Sequence, residues 1–195
     1  TPGETYKAVD SSDASKITYY TPVFSGFQAG VSYAPEADQG DSIVRIAPAA
    51  GFSDFIEGGV AYTGDFSGIG VKASGTISTA EANAVGVDEF TSWALGAQVS
   101  YAGISFGGNY VDWDEASGVD NGWTIGLGYT TGPISVAANY QGTDYINGDE
   151  VQIYGVGGAY VVAQGLAVRA DYVHVDRDTV ADETDIVLIS TRLSF

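Results

Sequence analysis

The 195-residue chain carries 7 Lys plus Arg against 25 Asp plus Glu, a formal charge of −18, with 27 Gly, 13 Tyr, one His and no Cys or Met. This excludes a nucleic-acid binder, which needs a basic patch to neutralise phosphates, and it excludes disulfides, zinc knuckles and thiol nucleophiles. With 45% hydrophobic residues the chain is too apolar for an acidic disordered segment, no run of about 18 apolar residues makes a transmembrane helix, and glycine weakens helix interiors by about 1 kcal/mol each.

Thr1-Pro2-Gly3-Glu4 lacks the basic and apolar regions of a signal peptide, so either a leader has been removed or the sequence begins within a longer protein. No later stretch keeps the i, i+3, i+4 spacing of an amphipathic helix for three turns. Strict alternation recurs instead, and it predicts eleven strands at about 16–22, 26–34, 54–63, 67–78, 90–101, 103–112, 121–130, 133–142, 151–161, 165–175 and 185–195. In the fifth, Trp93, Leu95, Ala97, Val99 and Tyr101 alternate with Ala94, Gly96, Gln98 and Ser100, an apolar face against a small polar one. The ninth is the least defined, because Gly155, Gly157 and Gly158 blur its two faces. Residues 43–47 have strand composition, but Pro48 follows and they read as loop.

The connections alternate in length. Short ones centre on Ser25-Gly26, Asp65 to Gly68, Ala102-Gly103, Thr131 to Pro133 and Ala163 to Gly165; long ones run over 35–53, 78–89, 113–120, 142–150 and 176–184. An antiparallel meander with tight turns at one end and long loops at the other is the pattern of an outer-membrane β-barrel. All carboxylates except Asp54, Glu57, Asp65 and Asp171 fall in the N-terminal segment, the long loops or their margins. Two readings stay open: solvated loops in which Asp forms turns, or an acidic rim that attracts cations and holds divalent ions bridging to lipopolysaccharide phosphates.

Aromatics on the apolar faces sort into two levels. Tyr33, Trp93, Tyr110, Trp123, Tyr140 and Tyr172 fall near the long-loop end, and Tyr62, Tyr101, Phe106, Tyr129, Tyr160 and Phe195 near the short-turn end. The eight steps from Trp93 to Tyr101 span about 26 Å at roughly 3.3 Å per residue, which with the usual strand tilt is somewhat less than the roughly 25 Å apolar band of a membrane barrel. The opposite faces carry Lys16, Gln28, Glu57, Lys72, Gln98, Asn109, Arg169, Asp171 and Arg192. A dry core holds such charges only in pairs, whereas a water-filled pore accepts them at little cost. The four bases among them form either a basic stripe or members of cross-strand pairs.

The ending Ile189-Ser190-Thr191-Arg192-Leu193-Ser194-Phe195 resembles the C-terminal signature of bacterial outer-membrane barrels, which the barrel-insertion machinery reads. The stretch from Lys16 to Tyr33 resembles the sixth and seventh strands of Gram-negative general diffusion porins of the alphaproteobacterial type. The resemblance implies an all-β fold: an antiparallel transmembrane β-barrel, of which this chain is the C-terminal part of a 16-stranded whole, since an odd strand count does not close. It further implies that residues 1–15 are a remnant of the inward-folded constriction loop, residues 16–195 the barrel strands, and Glu4, Asp10 and Asp13 the loop acids facing Lys16, Lys72 and Arg192. The function implied is a trimeric outer-membrane channel passing small hydrophilic solutes and ions, with cations preferred, no catalysis and no cofactor. Its partners are then lipid and lipopolysaccharide. The competing classes are an outer-membrane enzyme built on Asp171, His174 and Asp176, although parity puts His174 on the apolar face and Asp171 on the polar one; a structural or adhesive barrel; and a soluble ligand-holding barrel.

Overall fold

The computed structural model describes residues 10–36, 52–83, 89–113, 118–178 and 183–194. Glu4, Phe195, the strand-like segment 43–47 and many of the loop acids lie outside them. The described residues form one eleven-stranded antiparallel sheet in simple chain order: β1 Ile17–Tyr20, β2 Phe27–Glu36, β3 Phe52–Phe66, β4 Ile69–Ala82, β5 Phe90–Tyr101, β6 Ile104–Asp112, β7 Val119–Thr131, β8 Ile134–Tyr145, β9 Glu150–Ala163, β10 Leu166–Arg177 and β11 Thr184–Leu193. Among the described residues β1 and β11 do not pair with each other, so the sheet is open. All eleven predicted strands are present.

The tight turns explain the fixed register. Ser25-Gly26, Ser67-Gly68 and Ala102-Gly103 each place two consecutive residues at positive φ, the two-residue hairpin geometry whose twist matches that of the flanking strands. At the other end several strands run further than alternation predicts. β8 continues to Tyr145 and β9 begins at Glu150, so the expected long connection 142–150 shrinks to a turn in which Gly148 N donates to Tyr145 O and Tyr145 N to Asp149 O, both at 2.9 Å. β3 starts two residues early, at Phe52, through a bulge between Ser53 and Ile56 with Asp54 at φ 54°. Ser53 and Phe55 are both buried, and the shift shows in the pairing instead, where Ser53 stands opposite Glu81 and Ile56 opposite Thr79, one more residue on β3 than on β4.

Buried side chains are few and gather towards the long-loop end. Ala34, Phe55, Ala80 and Phe90 pack with Ala14, and Phe52 closes the group with its ring 5.4 Å from that of Phe90. Leu95, Leu127, Val136 and Val156 on the apolar face are instead more than 45% exposed. A sheet that leaves its apolar face open and wets its polar face is inverted relative to a soluble protein, in which apolar faces seek a partner layer.

Candidate channel wall and membrane belts

The pairing register carries each polar residue across the sheet. Gln28 stands opposite Ala61, Ser74 opposite Gly96, and Gly96 opposite Asn109; Lys72 faces Gln98, Glu57 faces Ser32 and Ser78, Arg169 faces Ala159 and Ser190, and Arg192 faces Ala167. All nine residues expected on the polar wall therefore share one face, Lys16 through its ion pair with Glu57.

Two of the four bases are paired rather than free. Lys16 Nζ lies 3.3 Å from Glu57 Oε2. Arg169 Nε lies 2.7 Å from Asp171 Oδ2 and 3.0 Å from Oδ1; this pair spans two residues of one strand, whereas the alternative to a stripe was a cross-strand pair. No carboxylate among the described residues forms an ion pair with Lys72 or Arg192. The basic stripe is thus interrupted by two neutralised pairs.

Glu57 collects more than a lysine. Its Oε1 accepts the backbone N–H of Ser11 at 2.6 Å, and its Oε2 accepts the Ser32 hydroxyl at 2.5 Å. Ser11 is fully buried and Ala14 nearly so, so the segment 10–16 lies against the polar face of the sheet. It turns there through Ala14 N to Ser11 O at 3.2 Å and Ser12 N to the Asp10 carboxylate at 2.9 Å. Asp10 borders a recess of about 420 Å³ with Gln28, Ser32, Ser74, Thr76 and Ser78. Among the described residues the carboxylate in ion-pair contact with Lys16 is Glu57 of the sheet; Glu4, one of the three loop acids expected to face the bases, lies outside them.

On the opposite face the aromatics meet in two belts. Near the long-loop end the ring centroids of Trp93 and Tyr110 are 5.3 Å apart, those of Trp123 and Tyr140 5.0 Å, and those of Tyr140 and Tyr154 6.0 Å. Tyr154 then stacks on His174 at 4.7 Å. Tyr33 donates its hydroxyl to Asp54, Tyr172 to Asp185 and Tyr140 to Gln152, at 2.5–2.7 Å. Rings in apolar surroundings with hydroxyls bonded towards the polar end suit a bilayer interface. Tyr154 was missing from the predicted belt because the glycines after it hide the alternation of β9. Near the short turns Phe27, Tyr62 and Phe66 contact one another at 4.6 and 6.3 Å, while Tyr101, Phe106, Tyr129 and Tyr160 are exposed. Phe27 and Phe66 extend the predicted level.

His174 bonds Asp185 through Nδ1 at 2.7 Å. It sits on the apolar face, opposite Tyr154 and Asp185 in register, whereas Asp171 lies on the polar face. The sheet therefore separates Asp171 from His174 instead of assembling them.

This geometry matches known proteins. A family model described as Gram-negative porin matches residues 2–180. The chain belongs to the Gram-negative porin family. No curated protein matches it. Among solved structures, this porin chain is similar to an anion-selective porin from Comamonas acidovorans, at 20% identity and a TM-score of 0.69, over 92% of this chain and 59% of that one. It is also similar to OprB of Pseudomonas putida, at 12% identity, TM-score 0.75, and 92% and 58% coverage. A mutant of the Rh. blastica porin is similar at 23% identity, TM-score 0.59, and 92% and 54% coverage. The chain spans between half and two thirds of the length of these structures, as expected for part of a porin barrel. Family membership places it in the bacterial outer membrane.

Proposed function

We propose that the intact protein is a water-filled channel for passive diffusion of small hydrophilic solutes and ions, that it prefers cations, and that it assembles as a homotrimer in contact with lipid and lipopolysaccharide. In this reading Lys16, Gln28, Glu57, Lys72, Gln98, Asn109, Arg169, Asp171 and Arg192 line the pore, residues 1–15 belong to a loop that narrows it, and the C-terminal Phe195 addresses the insertion machinery. The observation that carries it is the two-faced sheet: charges and amides on one side, belts of tyrosine and tryptophan enclosing aliphatic side chains on the other. Charged groups are tolerated on the first face only if water reaches them, and the second face is satisfied by hydrocarbon.

The cation preference rests on charge. Wall carboxylates neutralise Lys16 and Arg169, and the chain as a whole carries −18, so the field at the mouth concentrates cations. The Comamonas relative is anion-selective, so direct measurement decides the sign. In planar bilayers the intact protein is expected to give ohmic single-channel steps, with a reversal potential in a KCl gradient of cation-preferring sign. Absence of steps sinks the channel, and the opposite sign sinks the preference.

The location of His174 gives a second expectation. Since it lies on the lipid side, His174→Ala leaves conductance and selectivity within error of wild type; a change in either would place the residue on the conducting path.

A further inference from the structure

We propose that Gly157 determines selectivity, because its missing side chain is what lets Asp171 lie along the wall and neutralise Arg169. This rests on the channel reading above. Asp171 stands directly opposite Gly157 on the polar face, and Arg169 opposite Ala159. A Cβ built on Gly157 would overlap Oδ1 of Asp171 and come within 3.2 Å of its Cγ, whereas the nearest backbone atom, Ala170 O, stays at an ordinary 3.4 Å. The group that must yield is therefore the mobile end of a side chain, not the sheet.

That same carboxylate holds Arg169 Nε with both of its oxygens. It has two rotatable bonds, and leaving the space over Gly157 costs it this geometry. Arg169 is 65% exposed at the side chain, so once released it presents a full positive charge to the conducting path. Gly155, two residues earlier on the same face, is built alike: its Cβ would lie 2.7 Å from the Asn139 side-chain oxygen. The displaced group there is neutral, which makes Gly155 the matched control.

The test uses the intact protein in planar bilayers with a KCl gradient. Gly157→Ala lowers the cation-to-anion permeability ratio by about twofold, the scale of a half-exposed ion pair. Asp171→Asn produces the same fall, Gly157→Ala adds nothing in the Asp171→Asn background, and Gly155→Ala leaves the ratio unchanged. The assignment is overturned by an unmoved ratio in Gly157→Ala, by equal effects at Gly155 and Gly157, or by additivity with Asp171→Asn. It is also overturned by a Gly157→Ala protein that fails to insert, since the carboxylate rather than the sheet is required to move. A silent wild type instead refutes the channel reading and is thereby distinguished from failure of this assignment.

Discussion

Ala97→Arg is expected to destabilise the membrane-inserted protein by about 2–4 kcal/mol, and Gln98→Arg, one residue further along, by less than about 1 kcal/mol. The two positions are both exposed and both in the middle of β5, so neither loses a packed core. They differ in face. Ala97 lies midway between Trp93 and Tyr101, opposite Ala73 and Gly108, and a guanidinium there points into hydrocarbon. Gln98 points to the polar side, and its cost is the repulsion of Lys72 directly opposite. On a water-covered sheet an arginine at an exposed alanine shifts stability by no more than about 0.5 kcal/mol. The difference therefore measures the bilayer itself, and it separates a membrane barrel from a soluble one on the same strands. Urea unfolding from lipid vesicles supplies the measurement; equal costs at the two positions would refute the assignment of faces.

Why alternation located every strand is clear from the chemistry. Hydrocarbon on one side and water on the other impose a period of two on each strand, and the turn glycines fix where each period restarts. The face of each charged residue followed from the same parity. What stayed hidden depends on relations between strands. The bulge at Ser53–Ile56 has only a weak local mark, because Asp adopts positive φ more readily than most residues but is also common in turns and loops. Tyr154 escaped because Gly155, Gly157 and Gly158 supply no side chains from which to read a face. The partners of Glu57 lie 46 and 25 residues away in sequence, so they emerge only once the register of β2, β3 and β4 is set. Even the Arg169–Asp171 pair, close in sequence, takes its geometry from the empty place opposite Asp171.

Those distant contacts of Glu57 carry the second large expectation. Glu57→Ala is expected to make trypsin cut after Lys16 at least about tenfold faster in the folded, inserted protein, while Glu57→Gln gives an intermediate rate. Glu57 joins three groups from two separate stretches: the Ser11 backbone N–H, the Lys16 ammonium and the Ser32 hydroxyl. Hydrogen bonds to a charged group contribute about 1.5–3 kcal/mol each, and about 1.4 kcal/mol corresponds to tenfold in an opening equilibrium. With Glu57 gone, the N–H of fully buried Ser11 has lost its acceptor and Lys16 its counter-charge. Residues 10–16 then keep the packing of Ala14 against Ala34, Phe55, Ala80 and Phe90 but lose the carboxylate that tied Ser11 and Lys16 to β3. The amide introduced by Glu57→Gln keeps a neutral acceptor oxygen but not the charge, hence the graded response. The product to follow begins at Ile17, and its appearance at wild-type rate in Glu57→Ala would show that packing alone fixes the segment. In a channel the consequence is functional, because the segment that opens carries Asp10 and Asp13 over the polar face. On the channel reading proposed above, Glu57 then governs how far these two carboxylates reach into the path of an ion.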